Sequence, residues 1–338
     1  MTARGAAPAR AQAVDREGAA ALPRGSAAQR LRALVVAVAS WLACRLPARV
    51  AYGLADVAGA VWYRTARGRA ALVRRNLERV SRSLAERGLG DPSVEAAARD
   101  PRALERLVRQ VFREGARYYL EVLRLPLVTP AFVRERLEVV TPDVVDRAFG
   151  PAGPSIFLGL HFGAIELPAV YLAERSGVRA AVPMETVGDP ELQRWFVRTR
   201  GRLGVRIVGI REARRELLAA LRRGEPVGIV GDRDLTGGGI EVPFFGAPAS
   251  LPIGPALLAI ESGASLYAVT VRRGPDGRYF GGLREIAIPA TGSRRERLTA
   301  ALAATARAFE DGIAEAPEQW WGAAFPIWPD LAPASGKR

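Results

Sequence analysis

The sequence predicts an α/β protein whose mostly parallel central sheet is flanked by helices and preceded by an N-terminal helical region. From about residue 136, short apolar strands alternate with helical patterns, and that alternation indicates a parallel sheet covered on both faces. Before residue 130 the apolar residues recur at helical spacing. A chain of 338 residues is long enough to bury a large core.

The predicted organisation has four parts. Residues 1–28 are rich in Ala, Arg, Gly and Pro without a period, and they are predicted to be a disordered basic tail. Residues 29–130 form the N-terminal helices, residues 131–331 form the α/β domain, and residues 332–338 are a second tail.

Two apolar helices are predicted between Gln29 and Tyr63, with a break at Pro47. Trp and Arg residues lie near their ends, which favours a position at a membrane interface. A helical cap packed on the α/β domain would show the same pattern. The next two helices are predicted at 66–87 and 102–125, with a linker at 88–101 between them.

Strands and helices alternate through the predicted α/β domain. The strands are predicted at 136–140, 155–160, 179–182, 205–208, 226–231, 240–244 and 265–272. The helices are predicted at 164–175, 190–202, 211–223, 253–262 and 294–315.

The formal charge of +14 is concentrated near the start of the chain, because residues 1–90 carry 16 Arg against 5 acidic residues. A basic segment of this kind favours a membrane surface, a nucleic acid or a solvated face. Nucleic-acid binding would call for aromatic residues among the basic ones, and the helix at 66–87 has none. The expected partner is therefore an anionic membrane, with no nucleic acid.

Cysteine usage and hydropathy narrow the class further. The single Cys44 excludes an internal disulfide and a cysteine-based zinc site, and no metal is expected. No stretch reaches the ~18 uncharged apolar residues typical of a spanning helix. The apolar run at 33–44 ends in Arg-Leu-Pro rather than in a small-residue cleavage site. We therefore expect a protein on the cytoplasmic side.

The central feature is the only histidine of the chain, His161. It follows an apolar run from Ile156 to Leu160 and precedes a helical pattern, so it lies where a strand ends. Imidazole is the usual general base near neutral pH, and a carboxylate can fix its tautomer. Glu166, five positions on, is the expected orienting carboxylate.

Motifs for several other reactions are missing. The sequence has no Gly-x-Ser-x-Gly, no Gly-x4-Gly-Lys and no Gly-x-Gly-x-x-Gly, which leaves a serine hydrolase, an ATPase and a dinucleotide enzyme unsupported. Direct attack of a hydroxyl on a thioester needs none of these motifs.

Four sequence blocks occur in an order that resembles the bacterial lysophospholipid acyltransferase superfamily. Within it, the similarity is to the branch of lipid A lauroyl/myristoyl acyltransferases and phosphatidylinositol mannoside acyltransferases, and it runs from roughly Arg30 to Leu331. The blocks are Leu160-His161-Phe162-Gly163-Ala164-Ile165-Glu166, Gly231-Asp232-Arg233-Asp234, Val242-Pro243-Phe244-Phe245-Gly246 and Pro317-Glu318-Gln319-Trp320.

The resemblance implies a glycerolipid-acyltransferase-like fold and metal-independent transfer of a fatty acyl chain from acyl-CoA or acyl carrier protein to a glycolipid hydroxyl. It implies no cofactor beyond that co-substrate, and a peripheral or monotopic position on the cytoplasmic face of the bacterial plasma membrane. His161 and Glu166 correspond to the His-x4-Glu catalytic pair. The implied substrate-binding residues are Glu185, Arg200, Asp232, Arg233 and Glu241. Of these, Glu241 is also a rival to Glu166 as the carboxylate that orients His161.

Three questions stay open at this point. Asp232 and Arg233 suit a structural ion pair as well as a binding site. The segment after Pro-Glu-Gln-Trp departs from the lipid A type, and Gly-Asp-Arg-Asp-Leu lies closer to the mannoside type, which leaves the acceptor undecided. A non-enzymatic basic protein that binds membrane or nucleic acid on the same fold is the alternative function.

Overall fold

A computed structural model of the chain describes residues 22–150, 153–234 and 237–331. The predicted tail at 332–338 and most of the tail at 1–28 lie outside the described residues. Within the described part, the Ser26 hydroxyl accepts a hydrogen bond from the Gln29 backbone N–H, and the Gln29 side chain accepts one from the Ser26 backbone N–H. This capping box starts the first helix at Ala27.

The N-terminal region contains five helices, and Pro47 separates the first two as predicted. They are α1 (Ala27–Arg45), α2 (Ala48–Thr65), α3 (Arg67–Glu86), α4 (Pro92–Arg99) and α5 (Pro101–Leu123). Helix α4 lies where a linker was predicted, and that prediction is wrong. The Asp91 carboxylate caps it by accepting hydrogen bonds from the backbone N–H groups of Ser93 and Val94. In a helix of only eight residues, this N-cap is a clearer sequence signal than the spacing of apolar residues.

Helices α1 and α2 present large apolar side chains to solvent. Among the described residues, α1 is the one helix long and apolar enough to cross a membrane, and it is mostly exposed. The sequence predicted no spanning helix, because Arg45 and Arg49 closely follow the apolar run at 33–44. The helix begins earlier than that run, at Ala27, and ends at Arg45. The exposed apolar residues of the two helices are Leu31, Leu34, Val35, Val38, Trp41, Leu42, Val50, Leu54, Val57 and Val61.

The other edge of α2 packs closely on α5. A Cβ atom at Gly59 would lie 2.7 Å from the Cα atom of Arg113, so only glycine allows this approach. On the same side, the Asp56 carboxylate accepts from two nitrogens of the Arg117 guanidinium at 2.7 and 2.9 Å. The exposed and packed sides of α2 are therefore distinct, which is the pattern expected at an interface.

The α/β domain follows, and its predicted strands and helices are confirmed to within a few residues. Its strands are β1 (Leu137–Val139), β2 (Ser155–Gly159), β3 (Ala180–Met184), β4 (Val205–Gly209), β5 (Val227–Val230), β6 (Ile240–Phe244), β7 (Ala247–Leu251), β8 (Ser265–Arg273) and β9 (Tyr279–Glu285). Its helices are α6 (Pro130–Arg136), α7 (Pro142–Ala148), α8 (Leu167–Ser176), α9 (Pro190–Gly201), α10 (Ala213–Arg222), α11 (Gly254–Ser262) and α12 (Arg294–Ala314).

The main sheet has seven strands in the order β1-β9-β8-β2-β5-β3-β4. Strand β2 runs parallel to both of its neighbours, β5 and β8, while β9 runs antiparallel to β8. Strands β6 and β7 form a separate antiparallel pair. The mostly parallel sheet is thus confirmed, and adjacency of β2 and β5 brings the residues that follow them to one edge.

A buried charge network joins the helical region to the α/β domain at Arg273, whose side chain is only 9% exposed. Its guanidinium donates to both oxygens of Glu121 at 2.7 Å, to Glu114 at 2.9 Å and to the Gly163 carbonyl at 3.1 Å. Glu114 also accepts from Arg117 at 2.8 Å. Helix α5, the end of β8 and the segment after β2 are therefore held by one cation.

Replacing Arg273 by leucine is expected to destabilise the fold strongly, because it leaves Glu121 buried without its cation. Losing one partner of a buried pair costs on the order of 3–5 kcal/mol. The matched control is Arg278→Leu, whose ion pair with Glu138 is about half exposed and contributes about 0–1 kcal/mol. Urea unfolding followed by circular dichroism measures both, and equal midpoints for the two variants would contradict the assigned role of Arg273.

Candidate active site

The only histidine lies in a tight turn between β2 and α8. Gly163 has φ 51°, and its backbone N–H donates to the Gln319 carbonyl at 3.0 Å. A Cβ atom at this position would lie 1.9 Å from the Val271 carbonyl oxygen. The turn therefore requires glycine two residues after His161, for its backbone angle and for its lack of a side chain.

The carboxylate on the histidine ring is that of Asp232, in the segment that follows β5. Nδ1 of His161 lies 2.5 Å from Oδ1 of Asp232, and the backbone N–H of His161 donates to Oδ2 at 3.0 Å. Asp232 is 1% exposed. The prediction that Glu166 or Glu241 orients the ring is wrong in this geometry, because the adjacency of β2 and β5 brings Asp232 to that nitrogen.

Asp232 is held in its ionised form. Burial raises the pKa of Asp232, but the charge of His161 and the hydrogen bonds from its ring, from Trp320 Nε1 and from the His161 backbone lower it by more. The net pKa lies below the ordinary value of an aspartate. In a neutral imidazole, an ionised Asp232 favours the tautomer whose Nδ1–H donates to it, and that tautomer carries the free lone pair on Nε2.

The C-terminal Pro-Glu-Gln-Trp segment completes the support of this turn. Trp320 Nε1 donates to Asp232 Oδ2 at 3.1 Å, and the Gly322 backbone N–H donates to the His161 carbonyl at 2.9 Å. The Gln319 side chain pairs with the backbone of Arg273 through bonds of 2.7 and 2.9 Å. The sequence reasoning gave these residues no role, although the motif itself was the signal that could have found them.

Aromatic side chains wall the imidazole. Trp321 contacts the His161 ring edge-on with centroids 4.7 Å apart, and Phe325 lies 5.2 Å from it. Tyr118 stacks on Trp321 at 4.2 Å. The histidine side chain is 17% exposed, so the ring is sheltered but open on one side.

Glu166 and Arg200 form a separate ion pair on the same side of the sheet. The Arg200 Nη2 and Nε atoms donate to Glu166 Oε1 at 2.6 and 3.1 Å, and the Tyr118 hydroxyl lies 3.5 Å from the same oxygen. Burial lowers the pKa of Arg200, but Glu166 raises it by more, so the guanidinium stays charged. The structure thus brings Glu166 to Arg200 rather than to the imidazole.

An apolar cavity of about 420 Å³ opens beside the histidine. Its floor is one face of the sheet, because alternate residues of five neighbouring strands line it. Gly159 and Gly228 lie on the adjacent strands β2 and β5 of this floor, and their lack of a side chain widens the cavity there. The alternating strand residues of the floor are Phe157, Gly159, Ala180, Val182, Met184, Val205, Ile207, Gly228, Val230, Val269 and Val271, and the intervening Pro183 and Ile229 also line the cavity.

Most of the predicted site residues surround this cavity. His161, Glu166, Glu185, Arg200 and Arg233 line it. Arg233 packs over Phe325 at 4.1 Å and lies 3.7 Å from Glu185, which is 54% exposed; these two residues form its rim.

The remaining two predicted residues lie elsewhere. Asp232 is buried behind the histidine. Glu241 lies on β6 in the two-stranded sheet, exposed, and it is not among the described residues that line the cavity. The structure therefore does not bring Glu241 to this cavity.

The arrangement suits removal of a proton beside a long apolar chain. A histidine oriented by a buried carboxylate can accept a proton from a hydroxyl, and the cavity next to it can hold a hydrocarbon. Within residues 22–150, 153–234 and 237–331, no three His, Cys, Asp or Glu side chains are placed to hold a metal ion.

The chain is similar to known acyltransferases along most of its length. Residues 26–321 match the family described as bacterial lipid A biosynthesis acyltransferase. A phosphatidylinositol mannoside acyltransferase of Mycolicibacterium smegmatis is 31% identical over 256 residues, which cover 73% of this chain and 76% of the relative. A protein of the same name from Mycobacterium tuberculosis is 32% identical over 289 residues, covering 83% of this chain and 84% of the relative.

The match extends over the N-terminal helices as well as most of the α/β domain. The predicted superfamily is thereby confirmed, and the non-enzymatic alternative is set aside. The chain belongs to the bacterial lipid A biosynthesis acyltransferase family, and it is an acyltransferase.

Proposed function

We propose that this chain transfers a fatty acyl group from acyl-CoA or acyl carrier protein to a hydroxyl of a phosphatidylinositol mannoside-type glycolipid. The observation that carries the proposal is the pairing of His161 with buried Asp232 at the opening of an apolar cavity. The acceptor type is supported by the names of the relatives and by the Gly-Asp-Arg-Asp block.

In the proposed reaction, Nε2 of His161 takes the proton of the acceptor hydroxyl as its oxygen attacks the thioester carbonyl. The carbon–sulfur bond then breaks, the new ester forms, and the imidazolium returns the proton to the departing thiolate. The ionised Asp232 stabilises the imidazolium and keeps the ring in place. Every atom and proton is accounted for by the two substrates and one histidine.

The cavity over the sheet is the proposed site of the acyl chain. Burial of each methylene is worth about 0.8 kcal/mol, so a chain lying along this apolar floor contributes much of the binding energy. The rim residues Arg233 and Glu185, together with Arg200, are proposed to contact the polar parts of donor or acceptor. Glu166 is proposed to act through Arg200, as a positioning residue.

The proposed location is the cytoplasmic face of the bacterial plasma membrane. The exposed apolar residues of α1 and α2 would enter the interface, and nearby arginines would meet anionic headgroups at about 1 kcal/mol each. At this location the lipid acceptor would reach the protein from the membrane, and the soluble thioester would reach it from the cytoplasm.

A panel of acceptors tests the proposed substrate. The purified chain is incubated with palmitoyl-CoA and, separately, with phosphatidylinositol mannoside, phosphatidylinositol or a lipid A precursor, and the products are read by mass spectrometry. Mannoside acceptors are expected to gain one acyl group, with the phosphatidylinositol lacking mannose as the matched control. Acylation confined to the lipid A precursor would contradict the proposed acceptor.

Substitution of the orienting carboxylate tests the mechanism. Asp232→Asn is expected to lower kcat by roughly 10²- to 10⁴-fold, because an amide no longer stabilises the imidazolium, and His161→Ala should abolish transfer. Asp330→Asn, at an exposed ion pair with Arg79, is the control and should behave as wild type. Circular dichroism checks folding. A larger kcat loss for Glu166→Gln than for Asp232→Asn would contradict this assignment.

Filling the cavity floor tests the acyl site. A Cβ atom at Gly228 would lie 3.3 Å from Val182, so Gly228→Val narrows the middle of the cavity. Turnover with palmitoyl-CoA is expected to fall about tenfold or more, since roughly two methylenes lose their place at about 0.8 kcal/mol each. Turnover with octanoyl-CoA should equal that of the wild type. Gly68→Val on the exposed part of α3 is the control, and an equal loss with both donors would refute the site.

A further inference from the structure

A second cavity, of about 500 Å³, lies on the other side of the Tyr118–Glu166 wall. It is enclosed by the α1–α2 turn, the end of α5, helix α6 and the turn between β8 and β9. Tyr118 and Glu166 line both this cavity and the acyl cavity. The proposed acyl transfer assigns no role to this second cavity, whose volume is sufficient for a small ligand.

The second cavity has an excess of positive charge. Arg49, Arg124 and Arg136 line it, and none of them forms an ion pair with a carboxylate among the described residues. Arg124 donates to the carbonyls of Ala43 and Leu46 at 2.6 and 3.1 Å, and Arg136 donates to the Asp276 carbonyl at 3.2 Å.

The acidic groups of the lining do not cancel this charge. Glu121 is already paired with Arg273, a cation that it shares with Glu114, and Glu166 is paired with Arg200. The Asp276 carboxylate is the remaining acidic group of the described lining. Three arginines against one aspartate leave a site that favours an anion.

The interior carries hydroxyl groups. The hydroxyls of Tyr52 and Tyr279 donate to Glu121 at 3.0 and 3.2 Å and lie 3.3 Å from each other. Burial and the neighbouring Glu121 raise the pKa of Tyr52 to about 12, so its hydroxyl stays neutral. A cationic rim above neutral hydroxyls suits a phosphate group that carries a polar, hydroxyl-bearing substituent.

The mouth of the cavity adjoins the exposed apolar surface. Arg49 belongs to the first turn of α2, directly before Val50, which is 49% exposed, and Leu54 on the next turn is 57% exposed. Leu127, which lines the cavity itself, is 39% exposed. A ligand with its phosphate at Arg49 would have apolar side chains beside it for hydrocarbon tails.

We propose that the second cavity binds the phosphate-bearing headgroup of an anionic membrane lipid, with the tails of that lipid lying outside against α2. The inference rests on the membrane location proposed above. It does not depend on acyl transfer, because the bound lipid need not be the one that is acylated.

Binding of a short-chain lipid in solution tests the proposal. Dihexanoyl-phosphatidylinositol, kept below its micelle concentration, is titrated into the full chain by isothermal titration calorimetry. The double variant Arg49→Glu/Arg136→Glu is expected to bind it at least about tenfold more weakly, since two charge-assisted contacts are lost. The matched control is Arg99→Glu/Arg102→Glu, which makes the same charge change at exposed positions that line none of the described cavities.

A second variant makes the test independent of charge. Ala48→Trp fills the mouth while all arginines stay, and it should weaken lipid binding as well. Inorganic phosphate and dihexanoyl-phosphatidylcholine are titrated in parallel and should bind at least about tenfold more weakly than the anionic lipid.

Three outcomes would overturn the proposal. Lipid affinity that is equal in wild type and both cavity variants removes the site. Inorganic phosphate that binds as tightly as the lipid would show a site for a free anion. Phosphatidylcholine that binds as tightly as the anionic lipid would show that the cavity does not recognise the anionic headgroup. A chain that fails to transfer acyl groups would leave these three outcomes unchanged, because lipid binding is measured without an acyl donor.

Discussion

The buried carboxylate of Asp232 is the constraint on which the rest of the site depends. It accepts from the backbone and the ring of His161 and from Trp320, so one side chain joins the end of β2, the end of β5 and the C-terminal segment. A buried carboxylate without such partners would be costly. The donors therefore stabilise the charge, and the charge fixes the position of the only histidine.

The same turn is held from its other side by Arg273, which donates to the Gly163 carbonyl and to two glutamates of α5. The helical region is thus part of the support of the histidine and not a separate attachment. Tyr118, on the same helix, stacks against Trp321, so α5 also supplies an aromatic wall of the site. The N-terminal helices and the cavity beside His161 therefore form one connected structure.

Much of the architecture could be predicted from the sequence, because most strands are apolar runs bounded by turn residues. Strand β9 was not predicted, because Gly281 and Gly282 lie in its middle. Strand β7 was not predicted either, because Pro248 and two alanines have low strand propensity. Each finds its place through pairing with a neighbouring strand, which is tertiary information.

The position of the histidine at a strand end was predicted correctly, but its carboxylate partner was not. His161 and Asp232 are separated by 71 residues, and only the strand order makes β2 and β5 neighbours. Nearness along the chain and the resemblance to the His-x4-Glu pair favoured Glu166, which lies one residue before α8 and pairs with Arg200 instead. Local patterns thus locate the elements, whereas the contacts between elements require the topology.

The apolar stripe of α1 and α2 also governs how the molecule behaves away from a bilayer. In plain aqueous buffer these side chains are exposed in the part of the chain that the structure describes, and an exposed apolar surface of this kind favours self-association. Detergent, nanodiscs or liposomes would cover the stripe and keep the protein dispersed. Handling of the purified chain is therefore dictated by the same helices that enclose its second cavity.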